Sequence, residues 1–104
     1  MAFNGNESSA ITLNQAASLT SNYRTSNPNS VKGHFFGVNK IEDILNQNGC
    51  VGIRRYYGED NQGGKQLVMV GVKSDESDIT DGVILDMSIP CPNHCGSANS
   101  LNGN

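Results

Sequence analysis

A chain of 104 residues has room for one domain, and its formal charge of −3 leaves no clustered positive field for phosphate backbones or anionic lipid. Nucleic acid is therefore not expected as a partner. Hydrophobic residues make up 36% and charged residues 16%, below ordinary globular usage, and the difference goes to Gly, Asn and Ser, so turns and loops should be plentiful. No segment approaches the roughly 18 apolar residues of a membrane span, and the first ten residues lack the charged and apolar regions of a secretory leader.

In chain order, residues 1–9 are polar and aperiodic and are expected to form a flexible N-terminal tail. A helix should follow. Thr12 and Gln15 stand three apart as a capping box, with Ile11 and Ala16 placed for a hydrophobic staple. Leu13, Ala16, Ala17, Thr20 and Tyr23 then recur at helical spacing, up to the turn Ser26-Asn27-Pro28-Asn29.

Short, aromatic His34–Val38 predicts a strand. Asn39 with Glu42 predicts the start of a second helix, whose buried face is Ile41, Ile44 and Leu45 and whose end is Asn48-Gly49. Alternation over Cys50–Tyr57 predicts a strand that sends Arg54 and Arg55 to opposite faces. The continuous apolar run Leu67–Val72 reads as a strand covered on both faces at the centre of the core. Between them, Gly58–Gly64 reads as a hairpin loop.

After a polar link over residues 74–82, Val83, Leu85, Met87 and Ile89 share a face at period two, which predicts a further strand from Val83 to Ile89. Residues 96–104 are expected to be a second flexible tail. The fold class that results is α+β: a single small domain over residues 10–95, in the order α-β-α-β-β-β, with a mostly antiparallel sheet and two helices on one face.

The segment Pro90-Cys91-Pro92-Asn93-His94-Cys95-Gly96 is the chemically unusual part, with two thiols and an imidazole in five residues. Thiolate and imidazole suit zinc, so Cys91, His94 and Cys95, with Cys50 as a fourth ligand, form the candidate metal site. A redox couple between Cys91 and Cys95 is a second reading, although the spacing is not Cys-x-x-Cys. In a third, the cysteines pack as small, weakly polar hydrophobes beneath a Pro-stiffened turn. Three cysteines cannot all pair within one chain, which points to a reducing cytoplasm.

Other constellations are incomplete. Cys50 and His34 could act as nucleophile and base, but no orienting group or oxyanion site accompanies them. The loop ending Gly63-Gly64-Lys65-Gln66 lacks the spacing, the hydroxyl and the following helix of a phosphate loop. Asp75, Glu76, Asp78 and Asp81 do not fit a calcium loop and read as solvated charges that blunt a sheet edge.

The stretches ITLNQAASLTSNYR, NGCVGIRRYYGEDNQGGKQLVMVGV and DGVILDMSIPCPNHC together resemble a group of short bacterial proteins. The shared plan is an opening helix, a GIR-YYG hairpin and a Pro-Cys-Pro ending. No established activity comes with the resemblance, so it implies no catalytic residue, substrate or cofactor. The sequence is thus read as a noncatalytic binding or interaction module, its partner a protein or a second copy and its contact surface the strand edges or Tyr56 and Tyr57. The alternative is a small zinc or thiol protein.

Overall fold

The computed structural model describes residues 2–103, so Met1 and Asn104, the outermost residues of the two expected tails, lie outside it. It is an α+β protein with two helices and antiparallel strands, in two compact units interleaved along the chain. Unit 1 comprises Met1–Glu7 and Phe36–Ser88, and unit 2 comprises Ser8–Phe35 and Ile89–Asn104. No helix among the described residues is long and apolar enough to cross a membrane.

In unit 2, helix α1 (Leu13–Ser26) begins at the expected capping box. The Gln15 amide donates to Thr12 Oγ1 at 3.1 Å, and the Thr12 amide donates to Gln15 Oε1 at 2.9 Å. The box thereby satisfies donors that a helix start leaves open. The expected stripe is shallow, because Leu13 and Tyr23 remain exposed while Ala16, Ala17 and Thr20 are half-buried. Strand β1 (Gly33–Phe35) pairs antiparallel with the last strand, matching Gly33 to Cys91 and Phe35 to Ile89.

In unit 1, helix α2 (Val38–Leu45) has its cap two residues before the expected one. Gly37 is the N-cap and makes no side-chain cap bond, so Asn39 lies inside the helix. The first turn instead rests on the Gly37 carbonyl, which accepts from the Lys40 and Ile41 amides. Ile44 is fully buried, Ile41 is half-buried and Leu45 is exposed. The left-handed residue after the helix is Gly49, at φ +81°.

Strands β2 (Cys50–Glu59) and β3 (Lys65–Lys73) form the expected hairpin, in register from Glu59·Lys65 to Gly52·Val72, with a bulge between Cys50 and Gly52. β3 is the middle strand of a three-stranded sheet ordered β2-β3-β4, and Met69–Val72 are buried as the apolar run predicts. One face lies under α2: a β-carbon on Gly71 would approach Ile44 Cγ2 and Cys50 Sγ. Ile53, Arg55 and Tyr57, paired with Gly71, Met69 and Leu67, belong to that face.

The predicted strand Val83–Ile89 is interrupted. β4 (Ile84–Leu85) pairs with β3, and β5 (Ile89–Cys91) pairs with β1 in a separate two-stranded sheet. Met87 between them has φ +56° and is 88% exposed, so the chain turns where the apolar alternation had implied continuity.

Candidate functional site

The Cys91 turn in unit 2 grows from the end of β5. The His94 amide donates to the Pro90 carbonyl at 3.0 Å, which closes the chain on itself and brings the α-carbons of Cys91 and Cys95 within 4.6 Å. That separation is within reach of a disulfide, and the two cysteines are bonded to each other. The sulfurs are therefore joined in a disulfide and are neither a pair of zinc thiolates nor two separately packed thiols. His94 is exposed beside them. The turn is fastened to β1 by the Lys32 amide, which donates to the Cys91 carbonyl at 2.6 Å.

Of the other residues singled out, Cys50 is a free, half-buried cysteine at the start of β2 in unit 1 and donates to the Gly52 carbonyl. His34 is the middle residue of β1 in unit 2, opposite Pro90. Among the described residues, no group of three or more His, Cys, Asp or Glu side chains is arranged to hold a metal ion. Zinc at Cys91 and Cys95 would require both sulfurs as thiolates, so it and the disulfide exclude each other.

Neither a known protein family, a curated protein nor a solved structure matches this chain.

A recess of about 170 Å³ in unit 2 is lined by Leu19, Thr20, Tyr23, Arg24, Lys32 and Leu101. It is smaller than the few hundred Å³ usual for small-molecule sites. Its cations already donate to main-chain carbonyls, Arg24 to Leu101 at 2.7 Å and Lys32 to Asn102 at 2.8 Å.

The sheet of unit 1 offers a more open surface. On the face away from α2, Arg54 donates to Asp78 at 2.5 Å, the Tyr56 hydroxyl donates to the same carboxylate, and the Phe3 ring lies 5.8 Å from the Arg54 guanidinium. The Tyr56 hydroxyl and the Asp78 carboxylate both push the Arg54 pKa up. The sequence had left Asp78 among solvated loop charges; instead it organises this face. Its partners lie more than twenty residues away, so no local spacing rule could find them.

On the α2 face, Tyr57 is 95% exposed. Its strand is the edge of the sheet, and among the described residues nothing pairs with the outer side of β2 from Ile53 to Glu59. The Asp60 amide donates to the Gly64 carbonyl. Antiparallel alternation from that pair turns the N–H and C=O groups of Ile53, Arg55, Tyr57 and Glu59 outward, away from β3.

Proposed function

We propose that the chain is a small noncatalytic binding or protein-interaction module whose contact surface is the outer edge of β2 with Tyr56 and Tyr57. One observation carries the reading: Tyr57 stands 95% exposed on an edge strand whose outward N–H and C=O groups are unpaired among the described residues. Such an edge can add a partner's strand by main-chain hydrogen bonding, while neighbouring side chains select the partner. Tyrosine suits the selecting role, because it presents a large apolar body with a polar tip and has few rotamers to lose.

The test compares wild type with Tyr57→Ser by affinity capture from cells and by light scattering after size exclusion. Tyr57 makes no side-chain hydrogen bond among the described residues, so the variant should keep its fold. The expected result is a complex or oligomer present in wild type and reduced in the variant. A lone monomer in both measurements overturns the proposal.

A second reading, a small thiol-redox protein, is favoured by the bonded Cys91–Cys95 pair beside His94. The proposed compartment remains the cytoplasm on the cysteine count, and there the glutathione pool would hold an accessible pair largely as thiols. Thiol titration across defined glutathione buffers decides: a pair that opens and closes reversibly in the folded protein supports the couple, and one that opens only on denaturation removes it. Elemental analysis of the reduced protein decides zinc. The resemblance to short bacterial proteins adds no activity to either reading.

A further inference from the structure

We infer that the partner added to the edge of β2 is a second copy of this chain, joined antiparallel about a two-fold axis at Tyr57. The inference rests on the proposed binding edge and names its occupant. Only residues whose main-chain groups point outward can hydrogen-bond across the new seam, so Ile53, Arg55, Tyr57 and Glu59 must meet one another. A two-fold antiparallel pairing of a strand with itself then allows few registers, and charge separates them.

An axis at Arg55 sets that cation against its own copy. An axis at Tyr56 sets Arg55 opposite Tyr57 and Glu59 opposite Ile53, with no opposite charges matched. An axis at Tyr57 pairs the two tyrosines and sets Arg55 opposite the Glu59 of the other copy, twice by symmetry. It also sets Arg54 opposite Asp60 on the other face. A further shift, to Gly58, leaves Tyr57 and Glu59 as the only outward residues that meet.

Cross-strand pairs of opposite charge and of aromatic rings both stabilise a sheet, and like charges directly opposite destabilise it. The register at Tyr57 is thus the self-complementary one, as an isologous interface requires. Its groups are available. Arg55 is exposed, with no side-chain hydrogen bond or ion pair among the described residues, and the Glu59–Lys65 pair is more than half exposed on both sides. Such a pair contributes little and yields readily.

Charged side chains on an edge strand commonly guard it against pairing. Here the guard lies at the other end. The bulge falls between Cys50 and Gly52, and the N-terminal segment crosses there, with Gly5 close to the Val51 carbonyl. Ile53–Glu59 lies beyond both.

Sedimentation of the full chain across a wide concentration range at low salt should show a reversible dimer. Arg55→Glu alone and Glu59→Arg alone should each weaken it by about tenfold or more, since each replaces two attractions with two repulsions. Mixing the two variants, or combining both changes in one chain, should restore the dimer, because opposite charges again meet in this register. Circular dichroism confirms that each variant is folded. A wild type that stays monomeric, or a dimer that ignores the single swaps or is not restored by mixing, overturns the inference. A monomer that still captures another protein through Tyr57 removes the second copy and leaves the binding module standing.

Discussion

Ile44 of α2 and Gly71 of β3 meet so closely that no side chain fits between them: a β-carbon on Gly71 would lie 3.2 Å from Ile44 Cγ2, and 2.8 Å from Gln47 Nε2. The fully buried Ile44 is therefore seated on a glycine, and the contact joins helix to sheet at the centre of unit 1.

Ile44→Ala is expected to cost about 2–5 kcal/mol, since it removes transfer energy and leaves a cavity. Gly71→Ala should cost about 1–3 kcal/mol by overpacking. Combined, they should cost less than their sum, because the shortened Ile44 makes room for the added methyl. Urea titration of the four proteins checks this, and strict additivity would show that the two positions do not share space.

Gln47 bridges elements that the sequence leaves far apart. Its Oε1 accepts from the Val83 amide at 2.7 Å, and its Nε2 donates to the Ile44 carbonyl at 3.0 Å. Gln47→Ala should cost about 1–2 kcal/mol by leaving a part-buried amide without its partner. Hydrogen exchange at Val83 should accelerate with it; an unchanged rate would show that the bridge does not hold that amide.

Among the described residues, three side-chain carboxylates titrate below their usual range. Asp60 is held down by the Gly64 and Gln62 amides, Asp75 by the Ser77 hydroxyl and amide, and Glu7 by main-chain amides led by Asn4. A depressed folded pKa gives stability that is present above the unfolded value and lost as pH falls through the folded one. The Tm should thus be nearly flat from pH 7 to about 5 and decline below about 4. Each group is exposed, so each share is small. Asp60→Asn should make the decline shallower, and thermal scans giving the same acid slope for both proteins would refute that role.

Reduction of Cys91–Cys95 should loosen unit 2 selectively. The bond closes a very short loop, so chain entropy assigns it about 2 kcal/mol, less than longer loops receive. The Lys32 amide and Gly33 both meet Cys91, so exchange at Lys32–Phe35 should quicken under reductant while that of the β2–β3 hairpin holds. Uniform acceleration across both units would contradict the expectation.

What the sequence revealed follows the range of the interactions involved. Thr12 and Gln15 are three residues apart, and a box of that span is written into local order. Leu67–Val72 announced itself because a strand covered on both sides needs no polar alternation. The start of α2 was misplaced because Asn39 is a good cap in isolation, whereas the chain enters the helix at Gly37. Val83–Ile89 kept its period across a turn at Met87, since periodicity records which side chains are apolar and not where the backbone bends. The Cys91–Cys95 pairing stayed one of several readings because the path of the turn decides it. Local order marks Asp78 only as a solvated loop charge and does not mark Gln47 at all, because each finds partners across the fold.

The pairing of Phe35 with Ile89 has a kinetic corollary. The whole of Phe36–Ser88 lies between these neighbours, so β1 and β5 can meet only by closing a loop more than fifty residues long. Closing such a loop costs entropy before any contact offsets it, whereas the β2–β3 hairpin closes over a handful of residues. In a refolding experiment, amides of the hairpin should gain protection first and those of Gly33–Phe35 last. The outer strands of the chain would then act as a latch, shut only after the inserted body has shortened the distance between them.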